Sequence, residues 1–373
     1  MEPLKVGIVG AAGRGKSFRA GLEANGAIIH AVCDTAEDKL AAAATTLGAS
    51  EKYTDYEKML DHADIQAVVV GTPMQFHVPH SIAAIQRGLH VMCEVPAGVS
   101  VQECRQLVQA CKESKAVYMM AENYIYTKTN MLITSLAAAG LFGQVFYAEG
   151  EYLHELKELN EVTKWRRQWQ TGIAGITYGT HSLGPILQWM PGDRVTRVCC
   201  ETTGSHYCDP RGEKYAQDSA TMLGKTDKGG LVKIRVDMIS DRPHAMNNYQ
   251  LQGTDGCYES GRGGLCDKSK LWTKSLRANF DAWMDVETLL NQDDFIQKYL
   301  PESWKNPPEA MLAAGHGGGD YLQVCDWVKA IRQQISCPIG IHEAMDMTLP
   351  GLVSQQSALE DGKWLDVPDS RTW

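Results

Sequence analysis

Short apolar runs alternate with amphipathic stretches through the first third of the chain. Leu4 to Val9, Ile28 to Cys33, Ala67 to Val70, His90 to Cys93 and Val117 to Met120 are predicted strands, with helices filling the gaps. Strands that are apolar without interruption are buried on both faces, which a parallel sheet covered by crossover helices provides. After about Glu122 the rhythm changes. A predicted helix near Asn130 to Ala139 leads into Val145 to His154, which alternates apolar and polar residues, and Val195 to Glu201, Ala220 to Gly224, Leu231 to Met238 and Tyr249 to Gly253 follow as further strands. Alternation of this kind belongs to a sheet with one face on a core and the other open. The expected fold class is therefore α/β. A doubly wound Rossmann sheet in residues 1–123 precedes an α/β domain with a largely antiparallel, open-faced sheet in residues 124–373.

Composition narrows the partners. Hydrophobic residues make up 44% of the 373 and charged residues 22%, the usage of ordinary globular proteins. A formal net charge of -9 supplies no basic field to attract nucleic acid. The longest apolar runs fall far short of the roughly 20 residues that span a bilayer, so no membrane partner is expected. Eleven cysteines, scattered without the close regular spacing of a disulfide framework, suit a reducing compartment. Met1 leads almost directly into the first strand, with no secretory signal pattern, and a cytoplasmic location is expected.

The first chemistry lies directly after the first strand, where Gly10-Ala11-Ala12-Gly13-Arg14-Gly15 opens a helix. A pyrophosphate bound at a helix N-terminus needs a tight turn and close backbone approach, which glycines allow. A plain strand-to-helix turn would read the same way, and Ala12 replaces the central glycine of the usual fingerprint. Asp34 strengthens the cofactor reading. It ends the second strand, where an acidic residue accepts hydrogen bonds from an adenosine ribose and repels a 2′-phosphate, so NAD is expected rather than NADP. Asp34 as a helix N-cap is the competing reading. Gly71-Thr72-Pro73 with His77, and Glu94-Val95-Pro96, also follow strands and share the carboxyl edge of the sheet, the ligand-binding edge of open α/β sheets.

This succession resembles the Gfo/Idh/MocA family of sugar-active oxidoreductases over nearly the whole chain. Typical members carry Glu-Lys-Pro and an Asp-x-x-x-His pair. Here Val95 stands at the lysine position and Thr177 at the aspartate position, four residues before His181. A narrower resemblance accounts for both departures: Glu122-Asn123, Tyr152 with His154, Trp165-Arg166, Tyr178-x-x-His181 with Gly184-Pro185, and Gly315-His316-Gly317-Gly318. This set looks like the NAD-dependent α-N-acetylgalactosaminidases and related redox glycosidases. Carried over, the resemblance makes Tyr178 and His181 the catalytic pair and implies sugar or nicotinamide contacts at Glu122, Tyr152, Arg166 and His316. Asn123 and Trp165 join Gly10, Ala12, Gly13, Arg14, Gly15, Asp34, Thr72, Pro73, His77, Glu94 and Pro96 on the cofactor side.

Direct glycoside hydrolysis uses two carboxylates flanking the anomeric bond, and no such pair stands out in the sequence. The redox route implied by the resemblance oxidises the sugar at C3, which makes the C2 proton removable. Elimination at C1, water addition and re-reduction complete the turnover. Tyr178 and His181, three apart on an expected helix, would share one face and suit the proton transfers. Each could instead be a core residue with a satisfied polar atom. Arg166 is a sugar or cofactor clamp, or a surface side chain beside Lys164 and Arg167. His316 sits in a glycine-rich loop that backbone and ligand can share closely, or simply begins a helix. Cys199, Cys200, His206, Cys208 and Asp209 lack the paired spacing of a zinc site, and no metal is expected. Three classes of function stay open: a redox-neutral glycosidase, a sugar dehydrogenase with net oxidation, and an NAD-dependent sensor. The open sheet face also suits packing in a homo-oligomer.

Overall fold

The computed structural model describes residues 2–262, 267–277 and 279–373, apart from the side chain of Asn247. Contacts divide the chain into two compact units: residues 1–127, 308–346 and 369–373, and residues 128–307 and 347–368. The sequence pattern places a single boundary after residue 123. In the structure, the segment 308–346 returns to the first unit, because helix Gly319–Gln333 packs against helix Arg19–Ala24. Gly21 makes that approach possible, since a Cβ there would lie 2.8 Å from Cβ of Val324.

The first unit holds six parallel strands, β1 (Leu4–Val9), β2 (Ala27–Cys33), β3 (Glu51–Tyr53), β4 (Ala67–Val70), β5 (His90–Cys93) and β6 (Tyr118–Met120), in the order β3-β2-β1-β4-β5-β6. This is the doubly wound Rossmann order, and the reversal between β1 and β4 opens a crevice at their carboxyl ends. Every residue of β4 is buried, as its unbroken Ala-Val-Val-Val run requires.

The second unit carries a nine-stranded sheet built from β7 (Val145–Leu153), β8 (Val195–Thr202), β9 (Ser219–Thr226), β10 (Leu231–Asp237), β11 (Ala245–Gly253), β12 (Gly256–Glu259), β13 (Lys270–Thr273), β14 (Met284–Asp285) and β15 (Leu365–Asp366). The order is β14-β13-β12-β11-β7-β10-β9-β8-β15, antiparallel except between β7 and β10. Val232, Ile234 and Val236 of β10 are buried while Leu231, Lys233 and Arg235 are partly exposed, the alternation of a one-sided sheet. Helix Thr180–Trp189 lies on the buried face. Gly150 of β7 lets it in, because a Cβ at that position would meet the Ser182 carbonyl at 2.8 Å. No described helix is long and apolar enough to cross a membrane.

Candidate active site

In the first unit the expected cofactor residues gather at the carboxyl ends of β1, β2, β4 and β5. Gly10 has φ +80, and a Cβ there would lie 2.4 Å from the Gly71 carbonyl oxygen, so only glycine lets these two loops touch. Gly15 plays the packing role, with a Cβ position 2.5 Å from Cγ2 of Ile8. The loop after β1 enters a 3-10 turn at Arg14–Phe18 and then helix Arg19–Ala24. Asp34 accepts hydrogen bonds from the Ala12 N–H at 2.8 Å and the Ala36 N–H at 2.9 Å, so it fixes the loop as well as its own turn. The N-cap reading of Asp34 is corrected: Ala36 occupies the N-cap of helix Glu37–Leu47. Close-packing glycines and a carboxylate at the tip of β2 fit a dinucleotide with a free ribose.

His77 is buried, with Nδ1 2.7 Å from the Pro96 carbonyl and Nε2 2.9 Å from the Thr72 carbonyl. It thus braces the Thr72-Pro73 loop against the Glu94-Val95-Pro96 loop. Burial lowers its pKa, and the two carbonyls oppose that shift. Arg14 donates from Nε to Glu94 at 2.7 Å and from Nη1 and Nη2 to Asp320 at 2.6 and 2.5 Å. Asp320 also accepts from Asn123 Nδ2 at 3.0 Å and lies 3.0 Å from His316 Nδ1. Glu122, fully buried, caps the turn Asn123–Tyr126 through the Tyr124 N–H. Asp320 is the shared acceptor of this network and a residue that the sequence motifs miss. Its only sequence signal is its place four residues after His316, in the first turn of helix Gly319–Gln333.

In the second unit, Tyr152, Tyr178 and His181 form one aromatic cluster. Ring centroids are 5.2 Å apart for Tyr178 and His181, 5.4 Å for Tyr152 and His181, and 5.7 Å for Tyr152 and Tyr178. Tyr152 Oη is 2.9 Å from His154 Nδ1, and the His154 ring lies 4.6 Å from that of His244. The expectation that Tyr178 and His181 share a helix face is corrected. The helix begins at Thr180 with Gly179 as its N-cap, and Tyr178 sits in the preceding turn. That turn is pinned instead of wound. Gln217 bonds both the N–H and the carbonyl of Gly175 at 2.7 Å, and Ser354 Oγ accepts from the Ile176 N–H at 2.8 Å. The two rings meet because the turn is fixed, not because the residues follow helical spacing.

Pro185 lies inside helix Thr180–Trp189 and has no N–H for the carbonyl four residues earlier, that of His181. The buried Tyr249 hydroxyl replaces it, donating to the His181 carbonyl at 2.5 Å. Arg166 is engaged locally, with Nε on Thr163 Oγ1 at 3.0 Å, Nη1 on Gln170 Oε1 at 2.7 Å and the guanidinium 4.6 Å from the Trp165 ring. Asp209 pairs with Arg167 and Arg211, and His206 with Asp218. Among the described residues no group of three His, Cys, Asp or Glu side chains is arranged to hold a metal ion.

Residues 4–122 match the model of the oxidoreductase family with an NAD-binding Rossmann fold, and residues 126–372 match that of the glycosyl hydrolase 109 C-terminal domain. A glycosyl hydrolase family 109 protein of Saccharopolyspora erythraea is 31% identical over 99% of this chain and 83% of its own length. An α-N-acetylgalactosaminidase of Shewanella oneidensis is 27% identical over 99% and 85%. Among solved structures, a levoglucosan dehydrogenase in complex with NADH and L-sorbose superposes with a TM-score of 0.83 at 21% identity, covering 99% of this chain and all of the other. At that identity the likeness is one of fold.

Proposed function

The chain belongs to the glycosyl hydrolase 109 family, as an enzyme with an NAD-binding Rossmann domain, and we propose that it cleaves a glycosidic bond by transient oxidation of the sugar rather than by direct displacement. The observation that carries this reading is the make-up of the cluster in the second unit. It consists of two phenols and an imidazole, Tyr152, Tyr178 and His181, in place of the two carboxylates of a direct glycosidase. NAD, when bound, supplies a reversible hydride acceptor for a sugar carbinol, and the resulting ketone acidifies the neighbouring carbon. The chain's own groups then have three proton transfers to serve, at the O3 hydroxyl, at C2 and at the leaving oxygen on C1. His and Tyr suit such transfers. Tyr249 holds the His181 backbone, and Gln217 and Ser354 hold the Tyr178 turn, so both groups are fixed relative to the sheet.

The lysine that serves typical Gfo/Idh/MocA dehydrogenases is replaced by Val95, which is buried. This favours the redox-neutral reaction over net oxidation. The first substrates to try are α-N-acetylgalactosaminides, because a relative carries that name. Turnover in heavy water tests the reading. Free sugar should carry deuterium at C2, with no stoichiometric NADH, and Tyr178→Phe or His181→Ala should each slow the exchange by about 10²-fold or more. Cleavage with C2 unlabelled, or an oxidised sugar matched by NADH, would sink the proposal.

A further inference from the structure

Nδ1 of His316 stands 3.0 Å from the carboxylate of a residue that no sequence motif singled out, Asp320. We infer that Asp320 is a positioning residue that holds His316 in the tautomer protonated on Nδ1, leaving Nε2 as a proton-transfer group, and that Arg14 ties this pair to the cofactor loop. The inference rests on the proposed function for its chemistry, but the tautomer itself does not.

The Asp320 side chain is fully buried, where a carboxylate survives only with strong donors around it. Gln323 Nε2 donates at 3.4 Å, and four closer groups surround the carboxylate. Nη1 and Nη2 of Arg14 form a two-pronged pair at 2.6 and 2.5 Å, Asn123 Nδ2 donates at 3.0 Å and His316 Nδ1 lies at 3.0 Å. Burial would raise the carboxyl pKa. The guanidinium and the imidazole outweigh that and hold it below the usual carboxylate range. An ionised carboxylate only accepts, so the proton between Asp320 and His316 resides on Nδ1. In the neutral ring Nε2 is then the basic atom.

The local backbone is built around this contact. His316 has φ +53, followed by Gly317 at +59 and Gly318 at +88. A left-handed histidine is uncommon and persists where the surroundings over-determine it. Gly315 belongs to the same arrangement, since a Cβ there would lie 2.4 Å from Oδ2 of Asp320. The imidazole keeps about a third of its surface, 35%, and sits edge-on to Tyr124 at 5.7 Å. A purely structural Asp320 would need Arg14 alone. The His316 contact instead draws on a strained loop and a glycine that a simple ion pair would not require.

The test is nitrogen NMR of the NAD-loaded enzyme labelled with 15N-histidine, with His316 assigned from the signal lost in His316→Gln. The neutral ring should show a protonated Nδ1 and an unprotonated Nε2. Asp320→Asn should redistribute the tautomers and lower kcat by about 10²-fold or more while KM stays within a few-fold. His316→Gln should lower kcat to a similar degree, which keeps the kinetic arm decisive even if the buried Asn variant does not fold. A wild-type His316 protonated on Nε2 would overturn the inference, as would unchanged kcat in His316→Gln. Because the tautomer is read without turnover, it stands or falls separately from the glycosidase reading.

Discussion

Replacing Tyr249 by Phe removes one oxygen atom and leaves the ring in place, still edge-on to Trp189 at 5.5 Å, so no cavity opens. What is lost is the donor at 2.5 Å to the His181 carbonyl. The N–H that ordinarily serves such a carbonyl in a helix, four positions on, is missing at Pro185. Taking the donor from a buried carbonyl costs about 1–3 kcal/mol, against about 1 kcal/mol for an ordinary hydrogen bond replaced by water. With a urea dependence of about 2.5 kcal/mol/M, a loss near 2 kcal/mol moves the unfolding midpoint down by about 0.8 M. Turnover should fall as well, since His181 is displaced with its backbone. The helix offers its own control: Pro185→Ala restores an N–H to it. In the double variant that N–H can take the His181 carbonyl, so the Tyr249→Phe loss measured in the Pro185→Ala background should shrink by at least half, a coupling read as a double-mutant cycle. A Tyr249→Phe midpoint within error of wild type, or equal losses in both backgrounds, refutes the reasoning.

Asp34→Ser should weaken NAD binding by about tenfold and raise the relative affinity for NADP, because one carboxylate about 4 Å from a phosphate charge costs about 4 kcal/mol at an effective dielectric near 20; calorimetric titration of both cofactors, with an unchanged affinity ratio, would count against the ribose role. The pH dependence of stability follows from Asp320, whose folded-state pKa burial would raise but Arg14 and His316 together lower. Its contribution is fully present above the unfolded value near 4 and is lost as pH falls below that towards the folded value. Urea midpoints should therefore fall below pH 4 in the wild type and more shallowly in Asp320→Asn; parallel curves would show that the carboxylate contributes nothing through this linkage.

Much of the Rossmann unit was legible because its strands are apolar runs long enough to be read directly. β1, β4 and β5 fall on the expected residues, and β2 and β6 differ by one residue at one end. β3 was not legible. Glu51-Lys52-Tyr53 carries no buried pattern and becomes a strand only by pairing with β2. The same holds for the two-residue edge strands β14 and β15 of the second sheet, which exist only by pairing with β13 and β8; β12 and β13 do alternate, but over only four residues each. The Tyr178 turn misled for a different reason. Spacing of three residues implies a shared helix face only inside a helix, and the contacts that keep residues 175–178 out of one come from Gln217 and Ser354, far along the chain. Asp320 was invisible because its meaning lies in Arg14, 306 positions away.

The departures from the dehydrogenase pattern also make sense together. Where typical relatives place a lysine, the first unit has a buried Val95. A cation of the cofactor loop, Arg14, is held between Glu94 and Asp320. A guanidinium does not release its proton near neutral pH in any case, and these two carboxylates push its pKa further up against the effect of burial. Arg14 therefore orients its neighbours and transfers nothing. Under the proposed function, proton traffic would fall to phenols and imidazoles: Tyr178 and His181 on a pinned turn and helix start, with Tyr152 in ring contact with both, and His316 on its buried carboxylate. A lysine suits one proton exchange at one hydroxyl. Elimination and addition across C1 and C2 require several exchanges at different atoms, and a set of separately oriented His and Tyr groups meets that requirement.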